Sequence, residues 1–225
     1  LSRHTISSGA HYERYSLKNT TFNTWNWRDG GSRTGIFTQG DGKTETKALW
    51  AQEAWYITPD LKLTVGGRYE DWRGFDGYNV ATRDTTVTRV QQPTVTGNKF
   101  SPKALLSWHA SPEWTFTGAL AKAYRFATAA ELYQLVTTGT TFTSPDPNLK
   151  PDNVTSAELR AERRFERGSV QLSLFQDDVH DAIIAQFLPL VPNSPTLYSY
   201  ASNVDHVRAR GVELLHKPVK PAALR

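Results

Sequence analysis

Residues 153–165, N-V-T-S-A-E-L-R-A-E-R-R-F, show the pattern that decides the fold class. From Ala157 onward the odd positions are apolar, with Arg163 as the exception, and the even positions are charged. Successive side chains of a β-strand point to opposite faces of the sheet, whereas a helix repeats its apolar positions every three or four residues. The segment therefore predicts a strand with one apolar face and one charged face.

The same two-residue period recurs along the chain, and helical periodicity is scarce. Apolar and polar residues alternate from Leu61 to Tyr69, and again from Phe100. We predict eight strands, at residues 5–18, 44–58, 61–72, 99–110, 114–124, 153–165, 169–186 and 198–216. Most of them exceed the ~5–6 residues of an average soluble strand. They reach the ~9–11 residues that a tilted strand needs to cross a membrane.

The connections between these strands alternate in length. Short turns lie at residues 58–61, 110–113 and 166–168, and long connections cover residues 19–43, 73–98, 125–152 and 187–197. Outer-membrane barrels have short turns at one end and long loops at the other, whereas loops beyond ~12–15 residues are uncommon in compact soluble domains. The pattern predicts an all-β fold, a partial antiparallel transmembrane β-barrel of long up-and-down strands.

Aromatic residues next to the short turns agree with this prediction. Trp55 and Tyr56 precede the first turn, and Trp108 and Trp114 flank the second. Amphipathic rings in such positions form the girdles of membrane barrels at the level of the lipid headgroups.

Composition excludes several classes of protein. The 225 residues contain no Cys, which excludes a disulfide framework, a thiolate metal site and a Cys nucleophile. No apolar run approaches the ~18 residues of a transmembrane helix. The net charge is +4, and basic residues alternate with acidic ones, so we expect a solvated surface and no nucleic-acid partner. The chain also lacks Met, so we expect Leu1 to be an internal or processed start.

The sequence shows no catalytic or metal-binding set. The six His are scattered and no Ser stands in a G-x-S-x-G context, so we expect no enzyme activity and no cofactor. The run from Asp177 to Asp181 contains His and carboxylates, but a strand sends neighbouring residues to opposite faces. We therefore expect a structural role for it and no metal site.

Several segments carry a resemblance to one family. Residues 124–133, Y-R-F-A-T-A-A-E-L-Y, resemble the F-R-A-P-T-x-x-E-L-Y segment of TonB-dependent outer-membrane receptors, with Ala127 where Pro is usual. Residues 146–152, D-P-N-L-K-P-D, are similar to the family's N-P-x-L-K-P-E. Further similar segments in the family's order are residues 49–53, 66–70, 157–159 (followed by Arg160 where Gly is common), 175–183, and Asn203 with R-G-V-E-L at 210–214.

The resemblance implies a fold and a function. Such receptors have 22-stranded barrels plugged by an N-terminal domain, so we expect residues 1–216 to form an incomplete barrel, about eight strands in an open sheet. Residues 217–225 are expected to form an irregular tail, and the plug and TonB box are missing. A closed eight-stranded barrel is the structural alternative.

The resemblance also implies uptake of a scarce nutrient across the outer membrane of a Gram-negative bacterium. A ferric siderophore is the commonest such ligand, and cobalamin, haem or a sugar are others. The partners would be membrane lipid, the ligand and the TonB energy-coupling protein. Two alternatives are a small outer-membrane barrel enzyme and a soluble β-sandwich ligand-binding module.

Two groups of candidate site residues follow. Charges expected to face the barrel lumen are Arg68, Glu70, Glu158, Arg160, Glu162 and Arg164. Aromatic and cationic residues in or beside the long loops would suit an anionic ferric complex, through stacking, cation–π contact and charge attraction. These ligand-binding candidates are Trp25, Trp27, Arg28, Trp72, Arg73, Phe75, Tyr78, Arg125, Phe126 and Tyr133.

Overall fold

The computed structural model describes residues 3–83, 85–138, 141–189, 192–193 and 195–218. Its longer elements are β1 His4–Thr24, β2 Arg33–Tyr56, β3 Leu61–Arg83, β5 Val95–His109, β6 Trp114–Arg125, β9 Asp152–Phe165, β10 Gly168–Pro189 and β11 Leu197–Pro218. The shorter ones are β4 Thr86–Gln91, helix α1 Ala129–Tyr133, β7 Val136–Thr138 and β8 Thr141–Ser144.

The eight predicted strands are confirmed, but several are longer than predicted. β1 runs to Thr24 and β2 starts at Arg33, so the connection predicted over residues 19–43 is mostly strand. The connection predicted over residues 73–98 is also wrong, because β3 continues to Arg83 and β4 follows it. These extensions carry scattered apolar residues such as Phe22, Phe37 and Val80, but no sustained two-residue alternation marks them. In the predicted tail, residues 217–218 belong to β11 and residues 219–225 lie outside the described residues.

All the described strands belong to a single curved sheet. Its order is β1-β2-β3-β5-β6-β9-β10-β11-β8-β7, with β4 beside β3. Neighbours pair antiparallel except β8, which pairs parallel with β11. Within the described residues β1 and β11 do not pair, so the sheet is open, although β7 approaches β1 and β2 from the far side. A single sheet excludes the β-sandwich, which needs two packed sheets.

The two faces of the sheet have opposite character. The register aligns Leu159 with Gly118 and Leu174, and this row of apolar residues extends to Val212. These side chains are largely exposed, Leu159 to 65% and Val212 to 66%. Glu158 and Arg160, by contrast, lie on the other face with Ser173. We refer to these as the apolar face and the charged face; an exposed apolar face of this extent is typical of a protein surrounded by lipid.

Aromatic residues border the apolar face at the short turns. Trp55 aligns with Leu63 on that face, and Trp108 aligns with Leu61 and Phe116. Trp114 stacks on Phe116 with ring centroids 5.7 Å apart. Tyr56, however, aligns with Lys62 on the opposite face, so its inclusion in the predicted girdle is wrong.

A glycine fixes the alignment of β10 and β11. Gly211 lies directly opposite Phe175, and a Cβ added at Gly211 would lie 2.8 Å from that ring. The aromatic ring thus occupies the space that any larger residue at position 211 would need. This contact explains why the R-G-V-E-L segment carries a glycine.

We expect Gly211→Ala to lower the free energy of unfolding by ~1–3 kcal/mol, because the added methyl group overpacks against the Phe175 ring. The double variant with Phe175→Leu should recover much of that loss. Chemical unfolding followed by circular dichroism measures both effects. Equal losses in the single and double variants would contradict the contact.

Candidate functional site

The connection from β6 to β9 folds back over the charged face instead of extending away from the sheet. Its first part contains helix α1, which begins with a capping box. The Thr128 hydroxyl accepts a hydrogen bond from the Glu131 backbone N–H, and the Glu131 carboxylate accepts one from the Thr128 backbone N–H at 2.7 Å. This reciprocal pair satisfies two of the free N–H groups at the helix start.

Arg125 joins this helix to two strands. Its guanidinium donates to Asp152 at 2.8 Å and to both carboxylate oxygens of Glu131, at 3.1 and 3.2 Å. It also donates to the backbone oxygen of Ile183 at 3.3 Å. One planar cation therefore links the end of β6, helix α1, the start of β9 and β10, a role for which the fixed fork of Arg is suited.

Asn203 holds the other end of the connection. Its side-chain amide donates to the backbone oxygens of Lys150 and Asp181, at 2.9 and 2.7 Å, and its oxygen accepts from the Lys150 N–H at 2.9 Å. Asp181 adopts a positive φ of 53°, a conformation that Asp tolerates. Three of the family-like segments noted in the sequence therefore meet at one side chain.

Tyr133 anchors the connection to β2 and β3. Its side chain is fully buried, and a Cβ added at Gly42 or Gly77 would lie only 2.1 or 2.4 Å from its ring atoms. Asn79 donates a hydrogen bond to the backbone oxygen of Tyr133 at 2.8 Å. The ring therefore lies in a cradle that exists only because these strand positions have no side chain.

Trp72 and Phe126 complete the small core beneath the connection. Their rings stack with centroids 5.0 Å apart, and Trp72, Leu132 and Tyr133 form the buried cluster on which Leu17 of β1 also packs. Because Trp72 and Tyr133 expose almost no surface, they are packing residues in this structure. Arg125 is held in its ion pairs with Glu131 and Asp152. The candidate residues Trp72, Arg125, Phe126 and Tyr133 therefore position the connection.

Arg73 and Phe75 lie elsewhere. Arg73 aligns with Glu45 and pairs with it at 3.2 Å, and its guanidinium lies 4.5 Å from the centre of the Phe75 ring. By register both residues are on the apolar-face side of β3, beyond the apolar residues. Tyr78 lies farther along β3, where it lines a cavity of about 380 Å³ with Arg89 of β4.

Trp25, Trp27 and Arg28 lie together at the tip between β1 and β2. The two indoles are 75% and 80% exposed, and the Arg28 guanidinium lies 5.0 Å from the centre of the Trp27 ring. All three side chains are exposed, and their contact with a ligand stays a prediction. The tip is at the opposite end of the sheet from the short turns.

The predicted wall charges form ion pairs within single strands. Arg68 pairs with Glu70 at 2.9 Å, and the other two pairs are Glu158–Arg160 at 2.8 Å and Glu162–Arg164 at 3.4 Å. All six residues lie on the charged face by register. Such exposed pairs add only ~0–1 kcal/mol each to stability, so their main effect is to keep this face hydrated.

Sequence reasoning missed a stack of three rings near the β7–β8 hairpin. Phe142 stacks with Tyr198 at 6.1 Å, and Tyr198 stacks with Tyr200 at 5.3 Å. The spacing of Tyr198 and Tyr200 was a usable signal, since residues two apart share a face of a strand. Their partner Phe142 could not be found without the pairing of β8 with β11.

Within the described part of the chain, no group of three His, Asp or Glu side chains is arranged to hold a metal ion. No helix among those residues has the length and apolar character required to span a membrane.

Comparison with known proteins identifies the family. The family model described as TonB dependent receptor-like, beta-barrel, matches residues 3–217. The chain belongs to this family. No curated protein matches it.

Solved structures of similar fold are receptors and transporters. The barrel chain is similar to the copper transporter OprC, with 14% identity and a TM-score of 0.72, covering 95% of this chain and 33% of that one. It is similar to the Serratia marcescens hemophore receptor HasR, with 13% identity and a TM-score of 0.66, covering 96% of this chain and 41% of that one. It is also similar to the ferric-catecholate import receptor Fiu from E. coli K12, with 17% identity and a TM-score of 0.65, covering 94% of this chain and 32% of that one.

These likenesses establish the fold. The TonB-dependent receptor barrel chain spans between 32% and 41% of the length of the three structures. The family and these neighbours are transport receptors, not enzymes, and the family is one of the outer membrane.

For this receptor barrel we expect Asn203→Ala to lower the free energy of unfolding by ~0.5–1.5 kcal/mol or somewhat more, because backbone groups of Lys150 and Asp181 lose their hydrogen-bond partner. Asn153→Ala is the matched control, since the Asn153 amide makes a single long bond of 3.5 Å to His180. Chemical unfolding in detergent measures both. Equal losses in the two variants would contradict the clamp.

Tyr133 predicts a pH effect. Burial, with a smaller contribution from the Asp76 charge, raises the pKa of Tyr133 to about 12. An unfolded Tyr ionises near pH ~10, so the stability held by the neutral phenol is complete below pH ~10 and is lost as pH rises toward ~12. Between pH 9 and 11 this amounts to ~1.4 kcal/mol.

Tyr133→Phe removes the ionisable group and should lose that much less stability between pH 9 and 11 than the parent chain. Tyr56→Phe, at a short turn, is the control and should behave as the parent. Unfolding curves at the two pH values test this. Parallel losses in parent and Tyr133→Phe would show that the ring is not held in the cradle.

Proposed function

We propose that this chain is part of the barrel wall of an outer-membrane receptor in a Gram-negative bacterium, and that the receptor takes up a ferric siderophore. Residues 1–216 would supply about eight of the strands of a larger barrel. Transport would depend on the TonB energy-coupling protein, acting through a plug domain inside the barrel.

The observation that carries this proposal is that the sheet has two faces of opposite character and that its short turns lie together at one end. Its apolar face is exposed and bordered by Trp55, Trp108 and Trp114 at the short turns, while its other face carries ion pairs. Lipid suits the first face, because an Arg or Lys there would cost ~2–4 kcal/mol at midplane. A hydrated lumen or a polar plug suits the second.

The tip between β1 and β2 supports an anionic ligand with flat, polarisable groups. Trp25 and Trp27 are among the most exposed large side chains of the described residues, and Arg28 lies over Trp27. Exposed indoles and a guanidinium together offer stacking surfaces and a positive charge to a ferric complex. The likeness to the ferric-catecholate receptor Fiu supports this class, and those to OprC and HasR supply copper and heme as alternatives to test.

An enzyme is the less favoured function. Within the connection, the converging residues Arg125, Glu131 and Asp152 are engaged with each other and with backbone groups. This arrangement holds a loop in place and leaves no side chain free to act as a nucleophile or base.

The binding test uses the whole receptor purified in detergent. We expect a ferric catecholate siderophore to quench its tryptophan fluorescence, and Trp27→Ala with Arg28→Gln to weaken binding about 5- to 30-fold, corresponding to ~1–2 kcal/mol for one stacked and charged contact. Trp55→Phe, at the far end of the barrel, is the control and should bind as the parent.

Three outcomes would each contradict a part of the proposal. Unchanged binding in the Trp27 and Arg28 double variant would exclude the tip as the ligand contact. Quenching by heme or by copper ions, with none by the ferric catecholate, would replace the siderophore by another nutrient. Uptake that persists in cells lacking TonB would exclude the coupling.

A further inference from the structure

A patch of cations surrounds one aromatic ring on the apolar-face side of β1, β2 and β3. The Phe75 ring has three cationic groups near its centre: Arg73 at 4.5 Å, Arg14 at 5.2 Å and Lys43 at 5.9 Å. Lys47 is the next cation along the same face of β2, beside Glu45. We call Arg14, Lys43, Lys47, Arg73 and Phe75 the basic–aromatic patch.

The strand register places this patch immediately beyond the apolar face. Leu49 aligns with Tyr69, and Tyr69 aligns with Phe100; all three are exposed and form the last apolar row on these strands. Two residues from Leu49 toward the start of β2, Lys47 aligns with Asp71. Two residues further in that direction, Glu45 aligns with Arg14 and Arg73. With ~3.3 Å per residue and a tilt of ~45°, Arg14 and Arg73 lie ~9 Å above that row.

The acidic residues on this side of the sheet do not neutralise all of its cationic groups. Glu45 is buried. It forms ion pairs with Lys47 at 3.4 Å and Arg73 at 3.2 Å, and it accepts a hydrogen bond from the Tyr12 hydroxyl at 3.0 Å. Lys43 pairs with Asp76 at 2.8 Å, and Asp71 is exposed beside Lys47. Within the described residues Arg14 makes no ion pair, although it is exposed and lies over Phe75.

We propose that the basic–aromatic patch binds the phosphate-bearing headgroup of a lipid in the outer leaflet of the membrane. This proposal rests on the membrane orientation proposed above. The lipid's acyl chains would lie on the adjoining apolar row, which begins at Leu49. Its phosphate would accept hydrogen bonds from the guanidinium groups of Arg14 and Arg73, with Lys43 adding charge.

Continuity and charge together favour this occupant over a protein partner. Only the Lys47–Asp71 row separates the arginines of the patch from the exposed apolar surface, so a molecule that fits both has an apolar part just below an anionic part. Long Lys and Arg side chains at such a boundary reach the headgroup layer while their stems cover apolar surface. A phosphorylated lipid has this shape and this order of groups.

Native mass spectrometry of the whole receptor tests the proposal. The receptor in detergent is mixed with equal amounts of bis-phosphorylated lipid A and phosphatidylcholine. We expect preferential retention of the lipid A, and about five-fold weaker retention for Arg14→Gln, since one Lys or Arg near an anionic surface contributes ~1 kcal/mol. Phe75→Leu, which keeps an apolar side chain, should also weaken retention.

Arg33→Gln is the matched control. Arg33 lies over the Phe22 ring at 4.8 Å, which is the same cation-on-ring contact, but it stands at the far end of β2 from the apolar row. We expect this variant to retain lipid A as the parent does. Circular dichroism confirms that each variant keeps its strand content.

Several outcomes would overturn the proposal. Equal retention of dephosphorylated lipid A would exclude a phosphate site, and loss of lipid A on adding equimolar inorganic phosphate would indicate a free-anion site. Unchanged retention in Arg14→Gln and Phe75→Leu would place the lipid elsewhere. If the receptor inserts into lipid vesicles but shows none of these preferences, only this inference is contradicted. Failure to insert would contradict the proposed function.

Discussion

The alternation of side chains between the two faces of one sheet is the constraint on which the rest of the structure depends. Because the period is two residues, a strand such as β9 presents Leu159 to one environment and Glu158 with Arg160 to the other. The antiparallel register carries this separation across the long strands. A slip of one residue would bury charges in lipid and expose leucines in the lumen, so the register is strongly specified.

The connection between β6 and β9 depends on that separation. Its core forms on the charged face, where glycines of β2 and β3 leave room for Tyr133 and where Trp72 receives Phe126. Arg125 and Asn203 then fasten its two ends to strands that are distant in sequence. Three of the family-like segments, residues 124–133, 146–152 and 175–183, are therefore bonded to one another or to Asn203 as parts of one anchoring device.

The sequence predicted the strands that carry hydrophobic alternation, because this signal reports directly on a two-faced sheet. It missed the extensions of β1, β2 and β3, where backbone pairing continues but apolar and polar residues do not alternate regularly. At the candidate site, Trp25, Trp27 and Arg28 lie exposed at a strand tip, and their contact with a ligand stays a prediction. The burial of Trp72 and Tyr133 could not be predicted, since an aromatic residue packs into a core as readily as it contacts a ligand, and the glycines of the cradle are remote in sequence.

The most direct test of the account is a nitroxide scan along β9 in the receptor reconstituted in lipid vesicles. This chain contains no Cys, so single cysteines at residues 156–162 can carry the label. We expect a period of two, with oxygen accessibility highest at positions 157, 159 and 161 and accessibility to a water-soluble nickel reagent highest at 158, 160 and 162. A flat profile, or one in which the even positions face lipid, would contradict it.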